Sequence, residues 1–106
     1  MPDMPWSATE KKIARRVFDA ALQSELADIM VDFKMRAARA NTPDDLWAIQ
    51  THLARVQRDL DRKYDYRYSM LELVLGRLLF EQRIQTCDLA GLNADRQAKI
   101  CHIASL

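Results

Sequence analysis

Glycine appears twice and proline three times in 106 residues, so the chain has little of the vocabulary that tight turns and hairpins demand. That scarcity argues against a sheet protein, and the abundance of Ala, Leu, Arg and Gln favours helices. Two cysteines, Cys87 and Cys101, are too few for a disulfide framework, and Cys101 beside His102 lacks the paired spacing of a zinc site. Buried or idle thiols are expected, with no metal and no cofactor. A formal net charge of +1 argues against the strong positive field of a nucleic-acid binder. No run approaches the roughly 20 apolar residues of a membrane span, and the N-terminus lacks the apolar stretch of a secretory signal. A cytoplasmic protein with no membrane insertion is expected. Also missing are a glycine-rich phosphate loop, a nucleophile elbow and a helical His/Glu metal motif, which predicts no catalytic residues and no enzymatic activity.

What is present reads as one all-α domain, residues 1–106, whose 49% hydrophobic residues suffice for a core. Ser7-Ala8-Thr9-Glu10 is a capping box that starts a helix. Apolar residues then recur at Ile13, Val17, Phe18, Leu22, Leu26, Ile29, Met30 and Phe33, with no breaker before Asn41. The predicted helix is roughly 45 to 50 Å long at about 1.5 Å per residue. A helix that outruns its own domain needs further apolar cover, and a second copy of the chain is the simplest source. Thr42-Pro43-Asp44-Asp45 signals a second helix, with Thr42 as N-cap and proline in the first turn. Within it Leu46, Ile49, Leu53, Val56 and Leu60 follow steps of three and four, the seam of a packing surface between copies or within a bundle. Asp59 and Lys63, four apart, read as a weak ion pair on a solvated face.

The alternation "YDYRY" has the period of a strand but is short, and it leads into an apolar stretch from Met70 to Phe80 predicted to be the most buried helix. Gly76 in its middle marks a close backbone approach. A loop with Gly91 leads to Asn93, the expected cap of a last helix over about residues 94 to 104. His52 is expected at a surface or interface. Trp47 is either a core tryptophan or an interface anchor. The Arg and Tyr mixture from Arg55 to Tyr68 resembles a nucleic-acid surface, but three aspartates within it cancel much of the field.

Several islands carry a resemblance. They are Pro5-Trp6-Ser7, Asp45-Leu46-Trp47, Asp61-x-Lys63-Tyr64-Asp65 with Arg67 and Ser69, Leu78-Leu79-x-Glu81, and Asp95-Arg96-Gln97-Ala98-Lys99-Ile100. Together they resemble the fluorescence recovery protein family of cyanobacteria and its bacterial relatives. The resemblance implies an all-helical homodimer, with long helices packed antiparallel and a smaller helical head on each subunit. It implies a non-enzymatic regulator that binds photoactivated orange carotenoid protein and speeds its return to the resting orange form, ending phycobilisome quenching. It places a dimer and partner surface at Leu46, Trp47, Gln50, Thr51, Leu53 and Gln57, and a head surface at Leu73 and Lys99. Typical members carry a His-Asp pair where this chain has Gln50 and Thr51, and an arginine where it has Gln57. Those charges are lost together, so none is left unpaired. The alternative is a helical interaction or scaffold protein of the same fold working on a different partner.

Overall fold

The computed structural model describes residues 5–106. Its order is α1 (Ala8–Arg39), α2 (Pro43–Lys63), α3 (Leu71–Phe80), a short 3-10 turn (Thr86–Leu89) and α4 (Ala94–Ser105). Both long helices begin as the sequence predicts. The Ser7 hydroxyl accepts from the Glu10 backbone N–H at 3.1 Å, and the Glu10 carboxylate accepts from the Ser7 N–H at 3.1 Å. At α2 the Thr42 hydroxyl accepts from the Asp45 N–H, while Asp45 accepts from the backbone of Asn41 and Thr42. These bonds hold the Asp45 carboxyl below its ordinary range.

The two long helices run antiparallel. Asp32 of α1 lies 3.4 Å from His52 of α2, and Glu25 lies 2.7 Å from Lys63, so partners on α1 recede as α2 advances. Their shared hairpin outruns the core. The buried residues of α1 all lie between Glu10 and Ala21, and α2 buries Lys63 alone. None of residues 22–62 is fully buried. The molecule accordingly measures 56 × 26 × 24 Å with a radius of gyration of 17.0 Å, against about 13 Å for an ordinary 100-residue domain.

The core sits at the other end, in the head. Ile13, Val17 and Phe18 of α1 meet Leu71, Leu75 and Leu78 of α3, closed by Ile84, Leu89, Leu92 and Ile100. As expected α3 is the most deeply packed helix, yet not all round: Leu73 and Phe80 on it are exposed. It ends at Phe80, where its apolar stretch ends, in a turn that the sequence does not announce. Gln82 takes a left-handed φ of 62°, its N–H bonds the Leu79 carbonyl, and the Arg83 N–H reaches back to Leu78. That is a Schellman ending built on glutamine instead of glycine, which hid it from the sequence. Gly76 is the contact point of α3 on α4, since a Cβ there would stand 2.7 Å from Ile103 Cβ and 3.3 Å from the Ile100 carbonyl oxygen.

The strand-like tyrosines form no strand. Tyr64 and Tyr66 both meet Phe18 edge-on, at centroid distances of 5.3 and 4.9 Å, and Tyr66 also meets Tyr68 at 5.7 Å. The alternation turns successive rings of an irregular segment onto α1. Asp59 does not hold Lys63 either. Lys63 is buried and bonds Glu25 of α1 and Glu81 beyond α3, because it is the last residue of α2 and points into the junction with the head.

Candidate functional site

Two apolar recesses stand out, one on the hairpin and one on the head. The hairpin groove, about 470 Å³, is lined by Leu22, Leu26 and Ile29 of α1 and by Leu53, Val56 and Leu60 of α2, with Gln57 and Asp61 at its edge. Leu46, Gln50, Leu53, Gln57 and Leu60 succeed one another at steps of four and three, so they form one stripe along α2 beside this groove. Leu46 at its tip is 56% exposed. Trp47 and Thr51 do not share the stripe: each lies one residue on, about 100° around the axis, and Trp47 is 61% exposed. The tryptophan is therefore not a core residue of the isolated chain. His52 lies on the side of α2 that faces α1, beside Asp32. Arg36 chiefly, with His52 behind it, holds the Asp32 carboxyl below its ordinary range despite partial desolvation.

The head groove, about 350 Å³, is lined by Met70, Leu73, Val74, Phe80, Ile103 and Leu106, and by the charged residues Arg62, Lys63, Asp65 and Arg77. Leu73 and Phe80 are 52% and 66% exposed. Lys99, also exposed, sits on α4 but does not line this groove, so the two expected head residues are not brought into one recess. Cys87 and Cys101 are free and exposed, so of the two alternatives the buried one does not hold. Among the described residues no group of three or more His, Cys, Asp or Glu is placed to hold a metal ion, and no helix is long and apolar enough to cross a membrane.

Between the grooves lies a polar junction that the solvated-face reading of Lys63 missed. Its ammonium bonds Glu25 and Glu81, the Tyr64 hydroxyl donates to Glu25 at 2.8 Å, and Arg83 donates to Asp28 at 2.6 Å. Burial and the Glu25 carboxylate push the Tyr64 hydroxyl well above its ordinary range. Burial alone would raise Glu81, but Lys63 and Arg77 outweigh it and hold that carboxyl low. This network ties the orientation of the hairpin to that of the head. The signal for it in the sequence was the Lys63-Tyr64 pair at the end of α2, where a long helix must turn into the core.

Hairpin, head and junction together match a known architecture. The sequence pattern of the photoprotection regulator fluorescence recovery protein covers residues 6–104. The fluorescence recovery protein of Synechocystis sp. is 35% identical over 104 residues, 98% of this chain and 95% of that protein. Its solved structure matches with a TM-score of 0.90 over 96% of this chain and 100% of that one. The Fremyella diplosiphon fluorescence recovery protein, at 27% identity, matches with a TM-score of 0.90 and the same coverage. A long antiparallel hairpin joined to a small helical head, carried by a sequence this similar throughout, makes the chain a member of the fluorescence recovery protein family of photoprotection regulators.

Proposed function

We propose that the protein is a homodimeric, non-enzymatic regulator that binds photoactivated orange carotenoid protein and accelerates its return to the resting orange form, ending quenching of the phycobilisome. The observation that carries this reading is the hairpin: a family architecture kept along nearly the whole chain, with none of residues 22–62 fully buried. An apolar groove and the stripe from Leu46 to Leu60 require cover, and a second hairpin related by a two-fold axis supplies it. No covalent step is needed. A partner that binds the compact carotenoid-protein arrangement, or the transition state leading to it, more tightly than the separated one lowers the barrier by that difference, and about 1.4 kcal/mol is tenfold in rate.

The neutral residues Gln50, Thr51 and Gln57 favour a second reading, in which the same dimer serves a different partner. The test is to photoconvert orange carotenoid protein and follow the dark loss of its red absorbance with increasing amounts of this chain. Acceleration that saturates with the chain supports the first reading. Unchanged recovery at large molar excess, with no complex on size exclusion, leaves the second.

A further inference from the structure

Trp47, Thr51, Arg55, Arg58 and Arg62 follow one another along α2 at steps of four, four, three and four, so they lie on one side of the helix, and all five are exposed. This side is distinct from the two already described. It lies nearly half a turn from the stripe of Leu46, Leu53 and Leu60, and about a third of a turn from the side where His52 and Lys63 face α1. The three guanidiniums form no ion pair among the described residues. Elsewhere Arg36, Arg77, Arg83 and Arg96 each hold a carboxylate at 3.1 Å or less. Asp59 and Asp61 flank the stripe on its two sides, Asp44 precedes it, and Asp65 lines the head groove beside Arg62 while paired with Arg67. None of the four bonds these arginines, whose forks stay open to a ligand although the aspartates reduce the wider field. Arg58 and Arg62 are four apart, a spacing at which like charges destabilise a helix, and among the described residues neither makes an ion pair or side-chain hydrogen bond that offsets it.

The stripe also has a terminus. Arg62 is its last member and at the same time a wall of the head groove, where Leu73 and Phe80 are exposed. From Trp47 to Arg62 is about 22 Å along the axis. One continuous surface therefore presents an indole, three ordered cations and an apolar recess of about 350 Å³.

We propose that this surface is a docking track for an acidic segment of a partner protein, whose carboxylates lie along Arg55, Arg58 and Arg62 and whose bulky apolar side chain enters the head groove. The inference rests on reading the protein as a protein-binding regulator and adds the chemistry of what it binds. Charge complementarity selects the occupant: arginine forks pair with carboxylates in two-pronged fashion, and the groove beside them is apolar. A nucleic acid would pair with the arginines but leave that groove unfilled, and the net charge of +1 gives it little field to follow.

The test uses the full chain and a fluorescein-labelled, glutamate-rich peptide ending in phenylalanine. Its glutamine counterpart and a single-stranded DNA of similar length serve as comparisons, all read by anisotropy at low and physiological salt. The acidic peptide should bind at least about tenfold more tightly than its glutamine counterpart and weaken with salt. Arg55→Glu with Arg58→Glu should lose at least about tenfold, and Phe80→Ala several-fold. If the double reversal disturbs helicity, Arg55→Gln with Arg58→Gln must show the loss at unchanged circular dichroism. Undetectable peptide binding at low salt overturns the proposal, as does equal binding by the arginine variants or tighter binding of the DNA through the same arginines. No carotenoid protein enters this assay, so its failure and that of the recovery assay are read separately.

Discussion

Glu10 and Arg96, 86 residues apart in sequence, form a buried ion pair of 2.8 Å that fastens the first turn of α1 to the first turn of α4. Glu10 also accepts from the backbone N–H groups of Ser7 and Asn93, so one carboxylate completes two helix starts. Arg96 in turn bonds Glu72 at 3.1 Å and lies 4.0 Å from the Trp6 ring centroid. Sequence reading found the capping box but not its second task, since nothing local to Ser7-Ala8-Thr9-Glu10 announces a partner at the far end of the chain.

Glu10→Gln keeps the shape of the side chain and removes its charge, so Arg96 keeps its contacts with Glu72 and the Trp6 ring but loses its buried counter-charge in a site 3% exposed. Breaking a buried pair from one side costs about 3–5 kcal/mol, and the remaining Glu72 contact places the expected loss at the low end. Urea denaturation of variant and parent gives the value directly. A loss below about 0.5 kcal/mol, the size of an ordinary surface change, would show that the pair contributes nothing net.

Glu10 also sets a pH dependence. Burial alone would raise its pKa, but the N–H groups of Asn93 and Ser7 and the Arg96 guanidinium outweigh it and bring the value from 4.5 down to about 2. A carboxyl whose pKa falls on folding contributes stability that is complete above its ordinary value and is lost as pH drops toward the folded one. Stability should therefore hold down to about pH 5 and decline below it. Glu10→Gln should flatten that decline, and a pH series of urea midpoints in which the variant falls as steeply as the parent would contradict the assignment.

The elements of the fold were legible where their signals were local. Ser7, Thr42 and Asn93 cap helices as their spacing predicts, and Gly76 sits where two backbones approach. What escaped depended on residues far apart. Lys63 has the same sequence spacing to Asp59 as many solvated pairs, and only the arrival of Glu25 and Glu81 beside it makes it a buried centre. The turn that closes α3 escaped because a glutamine occupies a left-handed position that sequence reading assigns to glycine. The seam of Leu46, Leu53 and Leu60 was legible from steps of three and four, while the separation of Trp47 and Thr51 from the stripe that also holds Gln50 and Gln57 follows from helix geometry once all seven are placed on one axis.

Lys63→Met should loosen the head on the hairpin. The methionine fills similar space but leaves Glu25 and Glu81 with Arg83 and Arg77 as their remaining counter-charges. The expected cost is about 2–3 kcal/mol, below the full penalty of an orphaned buried charge because those arginines persist. Adding Glu81→Gln should recover part of it, and a double-mutant cycle with no coupling between positions 63 and 81 would remove this contact from the account.

Gly76→Ala tests the approach of α3 to α4. Alanine improves helix propensity by about 1 kcal/mol, but its Cβ would clash with Ile103 Cγ2 and sit 2.7 Å from Ile103 Cβ, the second of which is fixed to the α4 backbone. Overpacking costs about 1–3 kcal/mol, so the net effect is a lowered melting temperature. Shortening the opposing side chain with Ile103→Ala in the same molecule should remove the clash with Cγ2 and recover part of the loss relative to Ile103→Ala alone. A variant that melts above the parent would show that the helices separate at no cost.

Leu46→Glu tests the proposed dimer at the place where the isolated chain tolerates it best. Leu46 is 56% exposed at the tip of the stripe, so the fold of one chain loses little when a carboxylate replaces it. An interface between identical copies carries every substitution twice, once from each subunit. A carboxylate confined there without a partner costs about 1–3 kcal/mol, so two should weaken association by roughly one to four orders of magnitude at about 1.4 kcal/mol per tenfold. Gln50 and Gln57 flank the same stripe and offer amide hydrogen bonds but no cation to neutralise the new charge. Light scattering at micromolar concentration should then read the 12.3 kDa chain for the variant and twice that for the parent, with helical circular dichroism retained in both. A variant that stays dimeric at every dilution tested would place Leu46 outside the interface and send the search for cover to the other exposed apolar residues of the hairpin, Met30, Val31 and Met35.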